Sequence, residues 1–534
     1  MFWNTKTNSV HHDLSPDAQR TTKDETGVNE AINKNVNGRI ETFKGFLLDT
    51  TLHGARFMHS ESLVRRFAWT ILLSVSLGFC SYMAFGTLRD YFDRPFNTRT
   101  SSRSSPKNGL TFPAVTLCNF NPLNVNRVIH FENASHDIEE VKRLKQISKV
   151  LTPSKEAFTD GFLNKFSDIL SRENLESFLR LYSHQMEDML LPNFPPTLFS
   201  CSFGGLVCGP ENFTSFASFL FGQCHTFNLA QNGRPLLNAK VAGRRSGLRL
   251  LLNTQRDSYI DNPSSPFVGI TVLVHDSYNF PFMDEYGFAV ESGTHTFCSI
   301  KMKKVTNLPE PYATNCTQRR LEMFRSGKSF AYSKPACLMQ CRNKFVIKKC
   351  QCTMLEFHAN APVCAPNDTV ICVLPTLEKF SSSKDGYRCE QDCPQPCSHV
   401  EYETSLSYAG LQKDLFVDYL SLLFNGTANR TISSMLQHTY RPFLNMTKSE
   451  KHKYIDNNII SLDIYLKDLN YDVLEQVPMY EVWGLFASLG GNYGLFLGIS
   501  ALTVCEFLDF GIRKFCHKIL SERKKRRRQE KYPT

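Results

Sequence analysis

Two stretches of this chain are apolar over the roughly 20 residues that a membrane-spanning helix needs. "FAWTILLSVSLGFCSYMAF" covers residues 67–85. A second stretch runs from Val482 to Phe510 and is interrupted by Gly490, Gly491, Gly494 and Gly498. Between them lies the pattern of a folded domain. "LTFPAVTLCNFNPLN" (110–124) reads as a strand ending in a Pro/Asn turn. "GLRLLLNTQRDSYI" (247–260) and "VGITVLVHD" (268–276) are β-rich, and the second alternates Val268, Ile270, Val272 and Val274, which predicts a strand with one buried face. Residues 135–190 predict helices, with Phe158, Phe162, Phe166 and Ile169 at spacings of four, four and three. Residues 1–40 are polar without period and predict disorder. The expected fold is a mixed α/β membrane protein with two spans, a central sheet, outer helices and a cysteine-rich arm.

Composition and charge orient this plan. The mean hydropathy of −0.28 excludes a 534-residue chain built mostly of spans. The net charge of +10 owes much to Arg513, Lys514, Lys518 and "RKKRRR" (523–528), which follow the second span, whereas residues 462–481 hold only Lys467. Basic residues mark the cytoplasmic side, so both ends are expected there. No cleaved signal peptide is read in residues 1–66. The expected division is a cytoplasmic tail (1–66), a first span (67–85), an extracellular domain (86–481), a second span (482–510) and a basic cytoplasmic tail (511–534). Seven glycosylation sequons, at Asn133, Asn212, Asn315, Asn367, Asn425, Asn429 and Asn445, all fall between the spans. Fifteen of the 18 cysteines fall in residues 118–397. In an oxidising compartment they predict disulfides rather than a zinc site, stiffening an arm with little core of its own; spacing alone leaves the pairing open and one thiol over.

No nucleophile elbow, zinc-protease or phosphate-loop motif occurs, so neither an enzyme nor a cofactor or resident metal is expected. Nucleic-acid binding is not expected either. His275-Asp276 reads as a structural histidine on a strand. The second span carries more chemistry. Gly490, Gly494 and Gly498 stand four apart, as in helix-packing ladders. Asn492, Ser500, Glu506 and Asp509 go beyond packing, because carboxylates at membrane depth face water or protein. Glycines also let backbone unwind, and freed carbonyl oxygens can replace part of a cation's water shell. This reads as a wet path for a hard cation, which two helices cannot enclose without further subunits. Asp463, Asp468, Asp472, Glu475 and Glu481 precede it and would draw cations to its mouth.

"TLHG" (51–54), "LTFPAVTLCN" (110–119) and "LGGNYGLFLGISALTVCEFLDF" (489–510) together resemble the degenerin/epithelial sodium channel superfamily, closest to the FMRFamide-gated sodium channels and the acid-sensing ion channels. The resemblance implies a trimer, homomeric or with related subunits, in the plasma membrane, permeant to sodium and sensitive to amiloride, with a hand-shaped extracellular domain of palm sheet, finger helices and disulfide-stapled thumb. It implies that Gly498, Ile499 and Ser500 form the selectivity filter, that Gly494 is the gate position, that Glu506 and Asp509 line the pore below it, and that His53 and Gly54 support the cytoplasmic side of the pore. It implies the pairs Cys118–Cys224, Cys201–Cys208, Cys316–Cys397, Cys337–Cys393, Cys341–Cys389, Cys350–Cys372 and Cys352–Cys364, with Cys298 left over, and a coupling of Tyr312 to Tyr91.

The acid-sensing members carry a histidine pair just outside the first span, where this chain has "RDYFDRPFNTRTSS" (89–102). With G-I-S in the triplet, the resemblance points to the peptide-gated branch and to a short amidated neuropeptide as the opening ligand. A cationic, aromatic ligand would suit Phe131, Asp137 and Glu139 in "FENASHDIEE". Opening by protons, or a non-conducting two-span, cysteine-rich surface receptor, are the alternatives.

Overall fold

The computed structural model describes residues 43–531 apart from 60, 135–174, 193–199, 219, 231–234, 260–265, 320, 322–329, 358, 366–367 and 427–441. The chain divides into two units, Met1–Pro95 with Pro478–Thr534, and Phe96–Val477. Helices α1 (Phe43–Asp49) and α2 (Leu63–Phe92) belong to the first; α3 (Lys334–Cys350), α4 (Leu374–Ser381) and α5 (Lys384–Asp392) belong to the second; α6 (Val482–Leu497) and α7 (Ala501–Lys531) return to the first.

In the first unit, α2 is the one described helix long and apolar enough to cross a membrane alone. Helices α6 and α7 meet that test only as a pair, bent by 81° at their junction. The second stretch is therefore not unwound along its glycine ladder. Gly490, Gly491 and Gly494 stay helical and the break comes at Gly498. Helix α7 continues past Phe510 to Lys531. Helix α2 meets α6 through Phe79, edge-on to Phe496 at 4.9 Å, and through the Cys80 thiol, which donates to the Asn492 carbonyl oxygen at 3.5 Å.

The second unit holds strands β1 (Phe96–Arg103), β2 (Leu110–Thr111), β3 (Ala114–Asn119), β4 (Cys201–Phe203), β5 (Leu206–Val207), β6 (Phe213–Ser218), β7 (Gly222–Phe227) and β8 (Asn238–Ala239). They are followed by β9 (Leu248–Asn253), β10 (Ile270–His275), β11 (Phe288–Val290), β12 (Thr294–Thr306), β13 (Ser398–Gly410), β14 (Ile459–Leu466) and β15 (Tyr471–Pro478). Instead of one central sheet there are two large ones. An eight-stranded sheet runs β1-β15-β12-β14-β9-β4-β5 with β13 also on β12, and a five-stranded sheet runs β11-β10-β3-β7-β6. One apolar cluster spans both, from Val115, Leu117, Phe227 and Val272 of the smaller sheet to Leu250, Ile300, Leu462 and Ile464 of the larger.

That shared core overturns the expectation of a half-buried strand at 268–276. In β10 the off-alternation residues Thr271 and Leu273 are buried as well, because both faces are covered. The predicted helices at 135–174 lie outside the described residues; beyond them the chain is helical at Leu175–Tyr182 and Met186–Met189. Asp463 does not serve a cation-attracting mouth. It is buried in β14, where its carboxylate meets Arg244 at 3.0 Å, Arg249 at 3.3 Å and His295 at 3.3 Å. Burial pushes that carboxyl up, but the three partners outweigh it and hold it below its usual range. Asp472 is likewise paired, with Lys301.

The arm is α3, α4 and α5 with their connections, tied by disulfides. Cys337 and Cys341 lie one turn apart on α3, and Cys389 and Cys393 one turn apart at the end of α5, so Cys337–Cys393 and Cys341–Cys389 form two rungs between antiparallel faces. Cys350–Cys372 and Cys352–Cys364 close the tip, and Cys316–Cys397 closes the base. Ser333 and Ser383 cap α3 and α5, accepting from the amides of Ala336 and Gly386. The arm is not without a core: Phe282, Phe330, Tyr332, Ala336 and Phe357 pack with Ala114 of β3.

Three histidines pack at the smaller sheet, His184 and His225 buried and His275 half-buried. His275 meets Thr116 Oγ1 at 2.8 Å and Asp276 O at 3.0 Å, a satisfied structural histidine. His184 meets Gln255 Oε1 at 2.8 Å, and His225 donates to the His184 carbonyl oxygen at 3.1 Å. Burial lowers all three, His184 and His275 to about 4. A folded-state value below the unfolded 6.5 means the unfolded chain takes up protons first as pH falls. Stability should be full above about pH 6.5 and fall toward pH 4, by on the order of 2–3 kcal/mol for each of His184 and His275. Thermal unfolding of purified protein across that range should show the loss, and His275→Gln should remove only its own share, leaving that of His184; a melting temperature that is pH-independent in the parent protein would refute the account.

Candidate functional site

The break between α6 and α7 is built from four residues. Gly498 adopts φ 64°, the left-handed conformation that ends α6, and its amide donates to Gly494 O at 3.0 Å. Ser500 then opens α7. Its hydroxyl accepts from the Thr503 amide at 3.2 Å while its own amide donates to Thr503 Oγ1 at 3.1 Å, a reciprocal cap that satisfies backbone groups left free by the break. Ile499 lies between them, and Ser500 is exposed.

The segment before α2 folds back onto this break. The His53 amide donates to Leu497 O at 3.3 Å, and its ring fills the space where a side chain at 498 would go: a Cβ there would sit 2.1 Å from His53 Nδ1. Gly54 follows at φ 84°, with Trp69 of α2 3.1 Å from where its Cβ would be. Thr50 Oγ1, Thr51 N and Thr51 Oγ1 all donate to Glu506 Oε2, at 3.0, 3.0 and 3.3 Å. Thr51 Oγ1 and Thr503 Oγ1 are 2.7 Å apart. With Thr51 donating to the carboxylate, Thr503 must donate to Thr51 and accept from the Ser500 amide, so the donors run one way from the break to Glu506. Below, Phe46 stacks on Phe510 at 4.5 Å and meets Phe507 edge-on at 4.8 Å.

The structure thus brings together His53, Gly54, Gly498, Ser500 and Glu506. Asp509 stands apart, held by Arg513 one turn on, at 2.6 Å. Gly494 is one turn before the break; a Cβ there would meet only Ile499 O, at 3.7 Å, and one at Gly490 or Gly491 would meet nothing within 4 Å. Thr50, Thr51 and Thr503 were missed from sequence, although a serine at 500 ahead of an apolar run is an N-cap signal.

Residues 46–510 match the amiloride-sensitive sodium channel family. The chain belongs to that family. Family membership covers the whole assembly just described, from Phe46 to its stacking partner Phe510. Curated relatives include acid-sensing ion channel 1C of Danio rerio, 31% identical over 502 residues, which are 90% of this chain and 85% of the relative. Acid-sensing ion channel 1 of Gallus gallus is 29% identical over 512 residues, 93% of this chain and 88% of the relative. Acid-sensing ion channel 2 of Homo sapiens is 29% identical over 480 residues, 87% and 85%. The amiloride-sensitive sodium channel family is one of ion channels, and this member has the disulfide-rich mixed α/β unit described above.

The remaining predicted positions are placed as follows. Cys118–Cys224 joins β3 to β7 and Cys201–Cys208 closes the β4–β5 hairpin. Cys298 is a free, buried thiol in β12, pushed up to about 12 by burial. Asn212, Asn315 and Asn445 are exposed. Asn133 and Asn425 lie on helices, and Asn367 and Asn429 lie outside the described residues. Phe131 is on the helix Val125–Ala134, and Asp137 and Glu139 lie outside the described residues. Tyr91, under the Arg94 guanidinium at 4.7 Å, belongs to the first unit and Tyr312 to the second.

Gly498→Ala should be costly twice over, by about 1–2 kcal/mol for the left-handed backbone and by the collision with His53. Adding His53→Gly should recover the collision but not the backbone strain. Thermal stability of the purified protein separates the two, and a double variant no more stable than Gly498→Ala would remove His53 from the account.

Proposed function

We propose that the chain is one subunit of a trimeric, sodium-selective channel of the plasma membrane, with both termini cytoplasmic, residues 86–481 outside and Gly498-Ile499-Ser500 as the filter. The observation that carries this reading is the break at Gly498, a helix interruption inside an apolar stretch whose backbone groups are capped locally while Ser500 stays exposed. One α2 and one α6–α7 pair cannot surround a water path. The glycine faces at 490 and 491, left open by their own chain, and at 494, where only Ile499 O comes within 4 Å, suit close approach of other copies. The same topology supports glycosylation at the sequons between the spans and a coupling of Tyr91 to Tyr312.

For the stimulus, we favour a short amidated peptide ending in Arg-Phe, on the absence of histidine from residues 89–102. A second reading, opening by acid, is favoured by the names of the relatives and by His184, His225 and His275, each lowered by desolvation. Expression in oocytes under voltage clamp, with acid steps and then a panel of amidated peptides, discriminates the two. Amiloride should block whichever sodium current appears. Surface protein that conducts under neither stimulus would favour a non-conducting receptor.

Replacing Ser500 by a bulkier side chain should change the sodium/potassium permeability ratio or abolish current while protein still reaches the surface. Unchanged ratios in every such variant would remove the triplet from the filter.

Gly494→Phe should give sodium current without stimulus. Overpacking where three α6 helices converge costs typically 1–3 kcal/mol per site, and three sites shift a closed-favouring equilibrium by several kcal/mol. A variant that reaches the surface, still responds to agonist and stays silent at rest would leave the ladder as ordinary helix packing.

A further inference from the structure

A cavity of about 270 Å³ opens within the second unit, between the arm and the five-stranded sheet. Phe216 of β6, Phe221, Phe280 and Met283 form one wall, and Met339 of α3 and Leu374 of α4 form the other. Two of the rings, Phe216 and Phe280, lie tilted toward each other with centroids 5.7 Å apart. Among the described lining residues the charged ones are Asp284, Glu356 and Arg342. Arg342 is spent: its guanidinium is paired with Glu285. Asp284, next to Glu285 in the chain, lines the same cavity and is exposed; its carboxylate accepts from the backbone at Asp284 and Glu285 and also feels the Arg342 guanidinium. Burial pushes its carboxyl up and the neighbouring Glu285 adds to this, more than the backbone hydrogen bonds and Arg342, which is shared with Glu285, pull it back.

We propose that this cavity binds a small ligand that is both cationic and aromatic, the chemistry at the end of an Arg-Phe-amide peptide. Ligand pockets are mostly apolar with a few placed polar groups, and this one pairs a phenylalanine and methionine wall with the exposed Asp284 carboxylate, which has no cation to itself. A guanidinium at Asp284 donates a charge-assisted hydrogen bond to its carboxylate, and an aryl group fills the space between Phe216, Phe280 and Leu374. The volume is at the low end for ligand pockets, so it takes one aryl group and one cation and leaves the rest of a longer peptide outside. A ligand there touches the sheet and the stapled arm at once, and so biases any movement between them. The assignment rests on the peptide reading of the stimulus and uses residues other than Phe131, Asp137 and Glu139.

The test uses the full chain purified in detergent and acetyl-Arg-Phe-amide as the titrant in calorimetry. Saturable binding is expected. Asp284→Asn should weaken it about tenfold or more, the effect of losing one charged hydrogen bond. Leu374→Trp, at an exposed position whose larger ring fills the cavity, should weaken it as well. Acetyl-citrulline-Phe-amide, without the charge, should bind the parent protein as poorly as the arginine peptide binds Asp284→Asn. No saturable binding, or unchanged affinity in both variants, overturns the site. Currents separate this from the gating assignment. A peptide-evoked current with the same half-activating concentration in the parent protein, Asp284→Asn and Leu374→Trp overturns the site and leaves peptide gating standing. Binding with the expected variant pattern but no current from any Arg-Phe-amide peptide upholds the site and overturns peptide gating.

Discussion

The left-handed backbone at Gly498 decides where the second apolar stretch breaks, and the rest of the first unit is arranged to permit it. A broken helix in an apolar setting frees amides and carbonyls that nothing in hydrocarbon can satisfy. The local answer is compact: Gly498 returns its amide to Gly494, and Ser500 and Thr503 exchange two bonds. The remaining space over Gly498 is taken by the His53 ring, so the position must be glycine for two independent reasons, its dihedral angle and its neighbour.

In the second unit a different constraint governs. Strands covered on both faces give two sheets one continuous core, and charge enters that core only where it is matched, as at Asp463 with Arg244, Arg249 and His295. The arm combines a modest core with cross-links, each typically contributing 2–4 kcal/mol by limiting the unfolded chain. Rungs at one-turn spacing hold two helices in fixed register, which leaves the arm stiff along its length while its seam with the sheet, where the Phe216–Phe280 cavity opens, is less fully packed.

Much of this was legible in the residues. Length and apolarity located both long stretches, and the crowding of cysteines into residues 118–397 announced an oxidised arm. The pattern misled where burial has no periodicity: β10 alternates in sequence, yet Thr271 and Leu273 are as inaccessible as their neighbours. It misled again at Asp463, since an acid near a basic residue in space but distant in sequence looks solvated. The glycine ladder drew attention to the right region but spread the break over four residues, when only Gly498 leaves the helix. The clasp by residues 46–54 was legible only in part, because an exposed threonine carries no sign that a carboxylate over 450 positions away will accept its proton.

That clasp has a mechanical consequence. The rings of Phe43 and Phe46 meet Phe507 and Phe510 in three pairs, each worth about 0.5–1.5 kcal/mol beyond area burial, so together they exceed thermal energy several-fold. The donors from Thr50 and Thr51 converge on the same helix within one turn of those rings. Separating the segment from α7 would break all of these at once and strand polar groups on both sides. Displacing the two together breaks none. Any rearrangement at the break should therefore carry residues 46–51 with α7 as a single body, with Gly498 as the joint: the one residue there with no side chain of its own to obstruct a backbone change, and the one whose freedom His53, bonded to α6, limits from outside the helix.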